Sequence, residues 1–320
     1  MQKGWSFFFG AVLLAELVLL IISPAMGWWL PENISTYGGS VDLLFYVILG
    51  FTGFFFILTE AILVYNMYAF AYREGHRAQY VEGNNRLELA WTIVPAAILL
   101  YIAFAQIKTW EEIKYQSHMD NEKEHPTAQV VQVTAHQWEW RMRYYGAKEG
   151  DKYLNRPMKG DGFDIARAKA WADSPEFDDY HGVNELHTWK GAKVRIYLKT
   201  RDVIHSFFLP NLRLKQDALP GKTIPMWFEA TEANVEYAPG RGLRYLNSGG
   251  RVGRDEPTRN DKEFEITCAE LCGGFHYRMR GQLYVHKDKE SYEAWLAEAH
   301  KQQRSRQPEK REPVASAGAQ

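Results

Sequence analysis

Positive charge is almost missing from the first third of this 320-residue chain: of 38 lysines and arginines, only Lys3, Arg73, Arg77 and Arg86 precede residue 108. A stretch so poor in solubilising charge and so rich in long apolar runs reads as membrane rather than as a water-soluble domain. Cysteine is scarce as well. Two cysteines exclude a disulfide-dense secreted scaffold, and the lack of any C-x-x-C-H excludes a covalently attached c-type haem. Residues 108–320 carry 34 basic against 32 acidic residues, which excludes a strongly basic nucleic-acid binder and leaves a nearly neutral soluble part. No internal repeat is evident.

Residues 1–112 read as the membrane region. The runs 43–71 and 89–107 each satisfy the roughly 20 apolar residues a bilayer-crossing helix needs. A third run, 5–30, shares features with a secretory signal, namely Lys3 before it and Ala25-Met26-Gly27 near its end. Its length, Glu16 within it and the Trp28-Trp29 pair at its outer edge favour a retained third span. The segment 72–88 has three arginines and the segment 31–42 none, so the former is expected inside the cell and the latter outside, which delivers residue 108 onward to the outside. Glu16 and Glu60 lie within apolar runs, where a carboxyl is costly unless it packs against protein, so both are read as packing residues facing a partner subunit.

Residues 113–300 change to short alternating runs at 129–145, 192–199, 203–209, 224–230, 263–268 and 282–286, separated by Gly, Pro and Asp clusters. That is the pattern of an all-β sandwich. In 192–199, Ala192, Val194, Ile196 and Leu198 alternate with Lys193, Arg195, Tyr197 and Lys199, which predicts a half-buried strand. In 129–145 the apolar parity shifts, from Val131, Val133 and Ala135 to Trp138, Trp140, Met142 and Tyr144. A bulge or a change of partner near His136 is expected, with Trp138 and Trp140 on one strand face. Residues 288–300 predict a closing helix capped by Asp288. The stretches 147–181, acidic between Asp161 and Asp179, and 233–262, rich in Gly and Arg, read as surface insertions, and the polar tail 301–320 as disordered.

Within CAELCGGFHYRM, Cys268, Glu270, Cys272, His276 and Met279 fall in twelve residues. Two thiolates, an imidazole and a thioether are soft donors that suit copper better than hard cations. A strand leads in and another leads out, so these residues lie on a loop at one end of the sandwich. His205, in DVIHSFFLP, is the best candidate for a second imidazole. A Cys268–Cys272 disulfide and a zinc site remain alternatives. A single blue-copper centre needs only one cysteine, so the second argues for two metals bridged by sulfur.

The pattern C-x-E-x-C-x-x-x-H-x-x-M, with DVIHSFFLP, KQDALPG, AHQWEW at 135–140 and LELAWTIVPAAILL at 87–100, resembles the binuclear CuA subunit, subunit II, of cytochrome c oxidases over about residues 40–300. The resemblance implies a cupredoxin-like sandwich behind a membrane helical hairpin. It also implies Cys268 and Cys272 bridging two coppers, with His205 and His276 as terminal ligands, completed by Met279 and the backbone carbonyl of Glu270. It implies that the Glu270 carboxylate reaches a magnesium ion shared with the catalytic subunit, and that Glu88 stands at the mouth of a proton channel of that subunit. From the residues alone, Glu88 is a solvated helix-start glutamate. Trp138 becomes the point where cytochrome c passes its electron, Trp140 a core residue, and Asp217 a docking carboxylate for a basic donor.

The implied partners are a haem–copper catalytic subunit I, other oxidase subunits, cytochrome c and membrane lipid, with no nucleic acid and no haem in this chain. The implied location is an energy-transducing, bacterial cytoplasmic membrane with the copper domain on its outer, periplasmic side. A nitrous oxide reductase, which also carries such a copper module, needs a propeller domain that this length cannot hold. A membrane-anchored copper-binding or copper-delivery protein is the remaining alternative. The two insertions depart from the common family pattern without touching a proposed ligand, and they put the donor's docking face in question.

Overall fold

The structure, a computed structural model, describes residues 2–77, 80, 82–114, 129–144, 147–149, 152–154, 179–246 and 262–306. Two compact units emerge. One is Met1–Asn33 with Tyr37–Tyr115, the other Ile34–Thr36 with Gln116–Gln320.

The first unit is helical: α1 (Gln2–Ala25), α2 (Gly38–Ala69), α3 (Asn85–Ala105) and the short α4 (Ile107–Lys114). Three stretches, Lys3–Ala25, Gly38–Ala69 and Asn85–Lys114, are long and apolar enough to cross a membrane. Their large side chains are mostly exposed, among them Phe7, Leu14, Phe54, Leu63, Leu99 and Phe104. Apolar surface all round a helix is what lipid, rather than water, would solvate. Boundaries differ from the sequence reading. α1 ends at Ala25 rather than residue 30, because Gly27 at φ +69° turns the chain and the Trp29 indole donates back to the Ser23 hydroxyl. α2 starts at Gly38, where close approach of the Asn33 side chain leaves no room for a Cβ. At ~1.5 Å per residue, its 32 residues span about 48 Å, so its polar first turn can project beyond the apolar thickness. α3 is capped by Asn84, whose side chain accepts from the Arg86 and Leu87 N–H groups, and Glu88 sits in its first turn.

The second unit is an all-β sandwich. Its first sheet runs β10 (Ile224–Glu229), β7 (Lys193–Thr200), β1 (Gln129–His136), β2 (Glu139–Tyr144) and β5 (Tyr180–Val183). Its second runs β12 (Gly242–Tyr245), β11 (Val235–Ala238), β14 (Arg280–His286), β13 (Phe264–Cys268), β8 (His205–Leu209) and β9 (Leu214–Ala218), with β6 (Glu185–Trp189) also paired to β14. A separate hairpin joins β3 (Ala147–Glu149) to β4 (Lys152–Leu154). The core holds Val131, Val133, Trp140, Met142, Ile196, Leu198, Phe207, Phe264 and Leu283, all essentially excluded from solvent. Ile34 is wholly buried; its N–H donates to the Asn211 carbonyl and its carbonyl accepts from the Thr231 N–H.

Four expectations need correction. The parity shift in 129–145 is a tight hairpin, not a bulge. Val131 pairs with Tyr144, Val133 with Met142 and Ala135 with Trp140, so chain reversal over two residues puts odd and even positions on one face. Trp138 therefore lies in the turn and not on the strand face of Trp140. β7, an inner strand between β1 and β10, is buried on both faces, Lys193, Arg195 and Tyr197 included. The first half of the 233–262 stretch is the β11–β12 hairpin of the second sheet, with Asn234, Val235, Tyr245 and Leu246 buried. The closing helix α5 (Lys289–Arg306) runs six residues into the expected tail, held there by Gln303, which accepts from the His181 N–H and donates to the Asp179 carbonyl. The Asp288 cap is present, accepting from the Ser291 N–H at 2.8 Å. Residues 307–320, residues 247–261 of the 233–262 stretch and most of 147–181 lie outside the described residues.

Candidate metal centre

Strands β8 and β13 run antiparallel, with Cys268 opposite Phe207, and the Ala269 N–H donates to the Ser206 carbonyl. That pairing brings His205, at the head of β8, beside the end of β13. The loop leaving β13 returns through a 3-10 turn, His276–Arg278, to Met279 and β14, and the Cys268 N–H donates to the Met279 carbonyl to close its base. Backbone pairing thus converges five of the expected donors.

Ligating atoms of His205, Cys268 and Cys272 lie within 4.8 Å of one another. The two sulfurs are 3.8 Å apart and both cysteines are free, so the pair is not a disulfide. Cys272 Sγ lies 3.6 Å from His276 Nδ1 and 3.8 Å from Met279 Sδ, and Cys268 Sγ lies 3.2 Å from the Glu270 carbonyl oxygen. His205 is fully buried, and its Nδ1 has no hydrogen-bond partner among the described residues, an orphan that a metal would satisfy. Met279 and Cys272 are almost fully buried, whereas the Glu270 side chain is exposed.

Electrostatics separates the two thiols. Burial pushes Cys268 up, but the neighbouring His205 imidazole, the Ser206 and Glu270 backbone and the His276 imidazole outweigh it and bring it down to about 6. Burial and the adjacent Cys268 push Cys272 up to about 12. One thiolate forms readily, and the second requires a cation to displace its proton, as metal binding does.

Trp138 is half-buried in the β1–β2 turn and meets Phe275 of the loop edge-on, with ring centroids 4.8 Å apart. Trp140 is fully buried against Phe207, as expected of a core residue. Asp217, exposed on β9, accepts a 2.7 Å hydrogen bond from the Ser206 hydroxyl. Glu88 belongs to the helical unit. The sequence reading missed two residues: Gln137, whose Nε2 donates to the Cys272 carbonyl at 2.8 Å, and Asp202, whose carboxylate receives His205 Nε2 at 2.8 Å. Their signal was present, since Gln137 precedes the tryptophan of AHQWEW and Asp202 opens DVIHSFFLP.

Apolar helices followed by a β-sandwich with soft donors gathered at one end define a membrane-anchored domain whose donors could hold a metal ion. Residues 24–109 match the family described as cytochrome C oxidase subunit II, transmembrane domain, and residues 129–243 match cytochrome C oxidase subunit II, periplasmic domain. Together these cover more than half of the chain, which belongs to the cytochrome c oxidase subunit II family and is a membrane protein with an outer domain. Among its relatives, the "Alternative cytochrome c oxidase subunit 2" of Bradyrhizobium diazoefficiens is 27% identical over 277 residues, covering 84% of this chain and 83% of that one. The cytochrome c oxidase subunit 2 of Thermostichus vulcanus is 26% identical over 283 residues, covering 83% and 77%. Among solved structures, the periplasmic domain of subunit II of cytochrome oxidase (CoxB) of Bradyrhizobium japonicum aligns at 21% identity and a TM-score of 0.33, covering 55% of this chain and 96% of that one.

Proposed function

We propose that this chain is the electron-accepting subunit of a haem–copper oxidase, taking electrons from cytochrome c at a binuclear copper centre and passing them to haem in a separate catalytic subunit that reduces oxygen to water. The observation that carries this reading is the donor set itself. Two free thiols 3.8 Å apart face an unpartnered imidazole nitrogen of His205, with His276 and Met279 beside Cys272. A disulfide needs no imidazole, and a zinc site does not call for a thioether.

In this reading Cys268, Cys272, His205, His276, Met279 and the Glu270 carbonyl would hold the two coppers. Bound there, copper would supply a one-electron carrier. The protein contributes rigidity: the ligands sit on paired strands and a loop closed by backbone hydrogen bonds, so gain or loss of an electron need not rearrange them. Trp138, touching the loop from a partly exposed turn, receives the electron, and Asp217 helps to orient a basic donor. The exposed Glu270 carboxylate is free to hold a magnesium ion with subunit I, and Glu88 opens a proton path in that subunit. Proton translocation belongs to the complex, which further subunits complete in a bacterial cytoplasmic membrane. The copper domain then faces the periplasm, residues 113–300 form that domain with insertions at 147–181 and 233–262, and the first span is retained.

The test is copper loading of the full-length chain in detergent. Two coppers per chain and an electron paramagnetic resonance spectrum of one unpaired electron shared by both are expected, and Cys272→Ser abolishes that spectrum. One copper with a single-site hyperfine pattern overturns the reading. Isolation from its membrane without haem would favour a copper-delivery protein instead.

A further inference from the structure

We propose that the acidic stretch ending at Asp179 docks on the outer face of the first sheet, where its carboxylates meet a patch of buried cations, and that it is thereby withdrawn from the surface that receives an electron donor. This goes beyond the functional reading and does not depend on copper.

Strand alternation turns Lys193, Arg195 and Lys199 of β7 away from the second sheet, and Arg141 and Arg143 of β2 share their face across Gln132 and Thr134 of β1. Such a face is ordinarily where an antiparallel sandwich meets water. Here much of it is closed. Arg195 is 1% exposed, Lys193 3% and Arg143 6%, and Val130, Gln132 and Trp227 are buried beside them. The ammonium of Lys193 lies 5.5 Å from the centre of the Trp227 ring. Burying cations is costly unless carboxylates meet them. Among the described residues, the sheet itself brings two to this face: Glu229, opposite Lys193, and Glu139, which pairs with Arg141. Five cations therefore face two carboxylates.

Asp179 indicates where the remaining negative charge comes from. It closes the acidic stretch and is itself buried, with its carboxylate 3.5 Å from Arg143 Nη1. Tyr180, the next residue, opens β5 beside β2, so the stretch joins the sheet at the rim of the basic face. Between Asp161 and Asp179 it carries six acidic and two basic residues. Length suffices as well. β5 lies three strand spacings from β7, about 14 Å, and the 24 residues between Leu154 and Asp179 can extend several times that far. The described helix α5 packs on β5, β6, β11 and β14. Two other segments have less charge to offer: residues 115–128 hold three acidic residues and one basic, and residues 247–261 hold three of each sign.

The experiment uses the full-length chain in detergent. Zero-length carbodiimide coupling, read by peptide mass spectrometry, is expected to join Lys193 or Lys199 to carboxylates between Asp161 and Asp178. A variant combining Asp161→Asn, Asp164→Asn, Asp173→Asn, Glu176→Gln and Asp178→Asn is expected to lose several degrees of thermal midpoint. Its KM for cytochrome c at low salt is expected to stay within about twofold of the parent. Should that variant fail to fold, the couplings in the parent decide alone. Coupling of Lys193 or Lys199 to Asp120, Glu122 or Glu124 instead makes the segment before β1 the cover and overturns the inference. A parental midpoint with a KM that rises several-fold at low salt and recovers at high salt makes the stretch a docking element for a basic donor, and overturns it too. So does a parental midpoint with no coupling at all. Coupling and midpoint are read without copper, so a chain that binds no copper overturns the functional reading and leaves this inference standing.

Discussion

Gln137 Nε2 donates to the carbonyl of Cys272 at 2.8 Å, joining positions 135 residues apart. The turn that bears Trp138 and the loop that bears the thiols are thereby held as one surface, so the functional roles of Trp138 and Trp140 can be separated by mutation.

Trp138→Ala is expected to cut electron transfer from cytochrome c severely while copper content stays near parental, since its indole touches the loop but carries little of the core. Trp140→Ala should instead cost about 3–5 kcal/mol of stability, because that side chain is fully buried against Phe207. Stopped-flow reduction together with copper analysis checks both. Copper loss or unfolding in Trp138→Ala, with normal transfer per intact site, would make that residue structural.

Asp217→Asn is expected to raise the KM for cytochrome c at low ionic strength and to converge on the parent at high salt, because an exposed carboxylate acts over a Debye length of about 10 Å at 0.1 M. Copper content should not change. A salt-independent defect would point instead to the lost hydrogen bond from Ser206.

His187 and His286 are fully buried, with His187 Nδ1 3.1 Å from His286 Nε2 and His286 Nδ1 3.0 Å from the Ser291 hydroxyl on α5. His187 also stacks on Trp295 of the same helix, and the carboxylate of Glu185 lies 3.7 Å from its Nε2. Burial pushes both imidazoles well below their ordinary value, and His187 adds to the shift of His286. Below about pH 6.5 the unfolded chain binds protons that the folded one refuses, so stability falls as pH drops toward the depressed folded values. The slope approaches about 1.4 kcal/mol per pH unit for each histidine. Unfolding of the sandwich, followed by near-UV circular dichroism between pH 7.5 and 5, should show this loss, and His286→Gln should flatten it. A midpoint constant across that window counts against the buried pair as the cause.

Local properties of the chain were legible without coordinates. Three apolar runs announce membrane helices, because the bilayer demands only length and absence of charge. The loop Cys268–Met279 announces a metal, because five donors crowd into twelve residues. Period-two patterning identified the strands but could not distinguish a bulge from a reversal at Gln137–Trp138, since both shift parity by one. Nor could it show that Lys193 and Arg195 are buried, because burial depends on how segments distant in sequence pack together. His205 was found by its motif, yet its unpartnered Nδ1, the Asp202 carboxylate behind it and the Gln137 clamp on Cys272 exist only after β8 pairs with β13 and the β1–β2 turn meets the loop. The sequence determined which donors are present; packing of distant strands decided which atoms they present, because a hydrogen bond depends on distance and direction that residue order alone does not contain.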